Sequence, residues 1–502
     1  MHSDVCPQNK NFIVRCKTMK FKRLLASALL LSLMLVGCTG GNNAADTDKA
    51  ATPEETTADD LIYNIPDNLK FPDASFRILL SGGSYIADEW ENFEDGKMDV
   101  LRKATFDRQV KTEEKFGVNI ELLYSEIETA DDDVRMSVTS ISDDYDFIVA
   151  CCSHIQPSVY EGLYMPVSDL TYIDLDMPWW NKGYIESVSL NINEPYLLFG
   201  PINYNSVQRS VCTAFNNDIL ERVHGLTPDD MYNMVLDGEW TYDKFTELIK
   251  DAYVDENGNT VRDINDTYAF IHGGYWQVDF MAFGAGLTFS ERDDNGYPVL
   301  ALNNERSIQL ADKLLAIFNN KSEVFNAKGS IEGFNMFGAG KTMFYIERFL
   351  ALEKEVIRGS DVEYGIIPVP KLDETIDNYY SPVERLVQWG LVPITVQNPE
   401  MVSAVLEFMA YEGYKNVMPA YYDITLKLKY TRGDDLDTAS RMLDIITENQ
   451  YTDFLGANAL GGLEKIFTKV VMSGQNTFAS NYAALEQVAL ATIEQYIAAT
   501  EG

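Results

Sequence analysis

Histidine and positive charge are what this sequence has least of. Its 502 residues include only four histidines, and His2 precedes Met19, the better candidate for the true start, so a histidine-rich zinc site has too few ligands. Lys and Arg total 40 against 77 Asp and Glu, a net charge of −37. Removing residues 1–37, which hold six basic residues and one acid, takes this to −42. Nucleic acid needs cationic partners for its phosphates, so no nucleic-acid partner is expected. A polybasic membrane contact is disfavoured for the same reason. Cysteine is scarce too. Of six, Cys6 and Cys16 precede Met19 and Cys38 follows an apolar run, leaving Cys151, Cys152 and Cys212. An odd number with one vicinal pair is no disulfide framework; small buried apolar residues are the simpler reading, and a bridge to Cys212 stays open. The sequence has no internal repeat, no GxSxG elbow, no P-loop and no HExxH.

What is present is a large potential core, 46% hydrophobic and 12% aromatic, as in a globular chain. Residues 19–38 read MKFKRLLASALLLSLMLVGC. Lys20, Lys22 and Arg23 form a charged start, and Leu24–Val36 is an apolar stretch of 13 residues, too short to span a bilayer. Its end, Leu35-Val36-Gly37-Cys38, resembles the lipobox of bacterial lipoprotein signals. The resemblance implies cleavage before Cys38, lipidation of that residue, and a protein held on the extracytoplasmic face of a bacterial membrane. Thr39–Asp60 is rich in Gly, Asn, Ala, Thr and acid and reads as a flexible spacer, with the linker set at 38–70. About 440 residues remain, enough for two or three domain-sized units.

Ser75–Leu80 reads as a strand ending in the turn cluster Ser81–Ser84. A helix is expected over Asp99–Phe116, stopping at Gly117. Val118–Tyr124 is a second strand, and Tyr145–Ala150 is continuously apolar, as in a parallel sheet buried on both faces. Alternating strands and helices give an α/β class, with ligands expected outside the carboxyl ends of the strands. Those ends are Ser81–Ser84 and Cys151–Gln156. Further on, Thr241 is a plausible N-cap, Lys341–Phe349 and Val362–Val369 are strands, and Pro399–Tyr414, Asp437–Asn449 and Asn481–Ala499 are helical.

Seven segments in order resemble the carbohydrate-type extracellular solute-binding proteins of ABC importers. They are FGVNIELLY (116–124), DFIVA (146–150), SVCTAFNNDIL (210–220), GEWTYDKFTELIKDA (238–252), FGAGKTMFYIERF (337–349), DVEYGIIPVPKLDE (361–374) and GLVPITVQNPEMVSAVLEFMA (390–410). The resemblance implies an α/β, two-lobe periplasmic-binding-protein fold, type II-like, with hinge strands and extra C-terminal helices. Lobe 1 would comprise 71–211 plus 366–412, and lobe 2 would comprise 212–365 plus 413–502. A monomer that closes on a carbohydrate, an oligosaccharide in particular, and delivers it to ABC permease subunits is the function implied. A peptide or other polar solute in the same fold, a surface glycan-degrading lipoprotein and a structural lipoprotein that has lost transport are the alternatives. Paired hydrolytic acids leave no trace in sequence among so many carboxylates.

Sugar sites combine aromatic faces with carboxylates, amides and Arg. On the resemblance, the ligand contacts fall on Tyr275-Trp276, after His272-Gly273-Gly274, and on Glu347-Arg348 at the end of a strand. Trp90, His154, Trp389 and Tyr422 are further candidates, whereas Trp179, Trp180 and Trp240 read as structural. No cofactor is required. Asp255, Asn257, Asn259, Val261, Asp263 and Asp266 fall at the 1, 3, 5, 7, 9 and 12 spacing of a calcium loop. Position 6 is Thr260 rather than Gly, and Asp266 replaces the bidentate Glu, so a solvated turn is the favoured reading and any calcium binding would be weak.

Overall fold

Asp99 opens the first long helix, α1 (Val100–Phe116), by accepting a hydrogen bond from the Arg102 N–H at 2.8 Å. The helix ends at Gly117, whose φ of 74° is the left-handed conformation a C-terminal glycine supplies. The computed structural model describes residues 62–82, 87–90, 99–422 and 436–500. The leader, Cys38, Thr39–Asp60 and Gly83–Ser84 of the expected turn cluster lie outside the described residues. Among the described residues, no helix is long and apolar enough to cross a membrane.

Two five-stranded sheets organise the chain. The first contains β1 (Ser75–Ser81), β2 (Asn119–Ser125), β3 (Phe147–Cys151), β4 (Leu197–Leu198) and β12 (Gln388–Leu391), in the order β2-β1-β3-β12-β4. β1 is parallel to both β2 and β3, and β12 runs antiparallel to β3. β3 sits at the centre with every residue buried, which is why it is apolar without alternation. Helix α2 (Cys152–Val159) begins where β3 ends.

The second sheet contains β5 (Val211–Asn216), β6 (Tyr268–His272), β9 (Val324–Asn326), β10 (Thr342–Arg348) and β11 (Tyr364–Ile367), in the order β11-β5-β10-β6-β9. β7 (Ser290–Arg292) and β8 (Pro298–Leu300) form a separate hairpin. Helix α3 (Tyr242–Leu248) is N-capped by Thr241, whose side chain accepts from the Lys244 N–H. Trp240 before it is fully buried, stands edge-on to Phe245 and donates from Nε1 to Pro368 O at 2.9 Å. Helix α4 (Trp276–Gly284) follows β6 and packs against β10.

Three passages of chain lie side by side between the sheets. Ser210 bridges Val383, with Val211 N–H donating to Pro382 O at 2.9 Å and Glu384 N–H to Arg209 O at 3.0 Å. Ser381 in turn bridges Gln450. The expected return at 365/366 falls within β11. β11 pairs along its length with β5, Ile366 opposite Ala214 and Ile367 opposite Thr213, so the chain rejoins the first sheet only at β12. The expected 412/413 boundary also falls inside a continuous helical run. Helix α5 (Pro399–Glu412) continues through a π turn at Gly413–Val417 into Met418–Tyr421. A side chain at Gly413 would overlap the Pro201 carbonyl, so glycine lets the run lie directly on the loop after β4. Helix α6 (Leu436–Glu448) packs on β11.

Candidate functional site

At the carboxyl ends of β6 and β10 the chain turns toward the crossing passages. β6 delivers His272, Gly273 and Gly274, and α4 starts two residues later at Trp276. A methyl group at Gly274 would overlap the Trp276 ring, so the indole lies flat against bare backbone. Gln277 braces this turn: its Oε1 accepts from the Gly273 N–H and its Nε2 donates to Ile346 O at 2.6 Å.

Trp276 is half-buried, and its Nε1 donates to Glu347 Oε1 at 2.9 Å. Glu347 ends β10 and is buried, which raises its pKa; Arg348 and the indole hydrogen bond oppose that rise. Arg348 Nη1 lies 3.4 Å from Glu347 Oε2 and 2.7 Å from Glu384 Oε1. The other Glu384 oxygen pairs with the buried Arg209. One connected network thus runs from the half-buried indole through two carboxylates to two guanidinium groups, ending on the crossing passages.

The first sheet contributes its own strand end to this place. Cys152 N–H donates to Val387 O at 2.8 Å and Ser153 N–H to Arg385 O at 2.9 Å, which sets the first turn of α2 beside the 384–387 segment. His154 sits on that turn, half-buried, with Nδ1 2.9 Å from Ser153 Oγ. Burial pushes the thiols up, Cys151 to about 11 and Cys152 to about 12, so both are neutral. Cys151, Cys152 and Cys212 are free and buried. Cys212 Sγ lies 3.4 Å from the Glu347 carbonyl.

Tyr275, Trp276, Glu347 and Arg348 are therefore brought together, and His154 lies on the α2 turn beside the 384–387 segment. Tyr275 is half-buried, and its carbonyl accepts from Thr468 Oγ1 at 3.1 Å. The remaining candidates lie elsewhere. Trp389 is fully buried within the first sheet's core and donates from Nε1 to the Tyr184 hydroxyl at 3.3 Å. Trp90 is 4% exposed, with the Arg108 guanidinium 4.8 Å from its ring centre, and lines a small cavity with Glu89 and Thr105. Tyr422 packs beside Tyr421 at the end of the α5 run, and burial pushes its hydroxyl up to about 12. Asp423, its sequence neighbour, lies outside the described residues. Trp179 and Trp180 are structural, both donating to Glu407.

The oxygens at the calcium-loop spacing are engaged within their own turn. Asp255 accepts from the N–H groups of Asn259 and Thr260, Asn257 from Asn259, and Asn259 Oδ1 from Val261. Asp266, at position 12, is fully buried and accepts from the Tyr253 hydroxyl and from the loop's own Glu256 and Asp263 N–H groups. Thr260 takes the left-handed conformation, φ 61°, where calcium loops use Gly. The oxygens hold the turn itself, and among the described residues no group of three or more His, Cys, Asp or Glu could hold a metal ion.

Sequence reasoning missed Arg209, Glu384 and Arg385. Each lies on a crossing passage without helix or strand periodicity. The only available signal was the pair of charges in Pro382-Val383-Glu384-Arg385, flanked by apolar residues.

No protein-family model matches the sequence, and no curated protein does. Solved structures do resemble it. A cyclo/maltodextrin-binding protein complexed with maltotetraose aligns with TM-score 0.53 and 13% identity, over 86% of this chain and 98% of that one. An ABC substrate-binding protein from Listeria monocytogenes in complex with cycloalternan gives 0.52 and 10%, over 85% and 99%. An ABC transporter solute-binding protein from Thermotoga lettingae bound with α-D-tagatose gives 0.50 and 13%, over 83% and 99%. This likeness shows the fold: an α/β, two-lobe periplasmic-binding-protein architecture.

Proposed function

We propose that this chain is the solute-binding component of an ABC importer, capturing a carbohydrate between its two lobes and delivering it to membrane permease subunits. The observation that carries this is the half-buried indole of Trp276, fixed on Gly274 and Glu347 at the strand ends of one sheet and linked through Arg348 and Glu384 to the crossing passages. An aromatic face suits the C–H side of a sugar ring, and neighbouring charged groups suit its hydroxyls. Glu347 and Glu384 are both engaged with arginine, an arrangement that supports binding rather than acid–base chemistry. Fold neighbours that bind maltotetraose, cycloalternan and tagatose support the same ligand class. The three adjacent crossing passages suit hinge closure, in which ligand binding favours the closed state by its extra contacts there. Cys38 is read as the lipidated anchor on the extracytoplasmic face, Thr39–Asp60 as its tether, and the binder as a monomer.

Intrinsic tryptophan fluorescence titrated with an oligosaccharide panel tests this. Saturable change without product release is expected. Release of shorter sugars, or no response to any saccharide, overturns it. Mass spectrometry of membrane-extracted protein should show an N-terminal lipid-modified Cys38, and light scattering should show one chain per particle.

A further inference from the structure

Three arginines reach the crossing passages, and one of them has no carboxylate. Arg209 and Arg348 both pair with Glu384. Arg385, the next residue, is half-buried, yet among the described residues no carboxylate lies within 4 Å of its guanidinium. Its Nε is sealed from solvent and has no hydrogen-bond partner. Cys152 is the one side chain that hydrogen-bonds it, and that thiol is neutral. Asp279, one turn into α4 beyond Trp276, is the nearby opposite charge, but its two oxygens are occupied. Lys465 Nζ lies 2.6 Å from one and Thr468 Oγ1 2.9 Å from the other. Arg385 stands between the lobes, its carbonyl bound by Ser153 of α2 and its charge felt by Asp279 of α4.

A partly desolvated guanidinium without an anion is costly, and its planar fork matches a carboxylate in two parallel hydrogen bonds. Neutral hydroxyls would leave its charge uncompensated once the lobes close. The other charged groups of this cluster, Arg209, Arg348, Glu347, Glu384 and Asp279, each have an opposite charge beside them. The charge left without an anion is thus the one whose partner comes from outside, and its position between the α2 turn and Asp279 of α4, the helix that Trp276 opens, suits a partner carried on a ring stacked against that indole. We propose that Arg385 reads a ring carboxylate, so that the captured carbohydrate contains a uronic acid unit. This rests on the carbohydrate-capture reading above. The chain's strong negative charge does not oppose it, because screening confines charge effects to about 8 Å at physiological ionic strength.

Calorimetric titration of the whole protein with di- and trisaccharides of galacturonate, glucuronate and mannuronate, each beside its neutral galactose, glucose or mannose counterpart, tests the proposal. At least one uronate is expected to bind about tenfold or more tightly than its counterpart. Arg385→Gln should close that gap, and Arg385→Lys should restore part of it. Should Arg385→Gln fail to fold, the wild type still decides: raising salt should weaken uronate binding and spare neutral binding. Neutral saccharides binding as well as or better than uronates, or a uronate advantage that survives Arg385→Gln, overturns the proposal and leaves carbohydrate capture standing. No saturable binding in either series overturns both.

Discussion

Trp276 Nε1 donates to Glu347 Oε1 at 2.9 Å, tying the first residue of α4 to the penultimate residue of β10. The bond fixes the edge of the indole and leaves its face as the working surface. Trp276→Ala should therefore lower saccharide affinity about tenfold or more. Arg348→Ala should do likewise, because it releases one Glu384 oxygen and removes the positive charge paired with Glu347. Calorimetry on folded variants measures both. If neither changes affinity, this cluster is not the ligand site.

Gly274 offers a way to move the indole without deleting it. Gly274→Ala places a methyl group in the volume the Trp276 ring occupies, and the half-exposed ring is the part able to yield. The expected result is a melting temperature within a few degrees of wild type, with affinity reduced about as far as in Trp276→Ala. Unchanged affinity would mean that the flat placement of the ring does not matter to binding.

Trp389 should behave oppositely. It is fully buried against Tyr184, so Trp389→Ala leaves a core cavity and should cost about 3–5 kcal/mol of stability. Affinity measured on the fraction that remains folded should stay near wild type. Chemical denaturation combined with calorimetry separates the two effects.

Glu407 gives a pH dependence. It accepts from Trp179 Nε1 at 2.9 Å and Trp180 Nε1 at 2.8 Å, and burial, only partly offset by these bonds, raises its pKa to about 7. The folded value lies above the ordinary 4.5, so the folded state holds the proton more tightly than the unfolded state does. Its contribution to stability is full below about 4.5, is lost as pH rises toward 7, and is level above that. Stability of wild type relative to Glu407→Gln should thus fall by about 3 kcal/mol between pH 5 and pH 8. Denaturant melts at those pH values measure it, and a difference that stays constant or grows with pH contradicts the assignment.

Local signals were legible where a segment's own residues decide its state. Asp99 and Gly117 bracket α1 because a cap and a left-handed glycine act within one turn. β3 declared itself because burial on both faces removes polar alternation. Thr241 and Trp240 marked the entry to α3 for similar reasons. Where the chain returns near 366 is not legible locally, because β11 is defined by its pairing with β5, about 150 residues earlier. Trp389 and Trp276 look alike in sequence; one faces a core and the other a cleft, and nothing adjacent to either records the difference.

By itself, the sequence determined an acidic, exported-looking α/β chain with aromatics and a Glu-Arg pair at strand ends. Helical and strand periodicity, capping residues and charge are local properties, and a linear reading captures them. Tertiary structure alone decided that Trp276, Glu347, Arg348, Glu384 and Arg209 form one network, that the Asp255–Asp266 oxygens turn onto their own backbone, and that Arg385 stands without a carboxylate. Those outcomes depend on which distant groups meet in a confined space, where each charge must find a partner or wait for one.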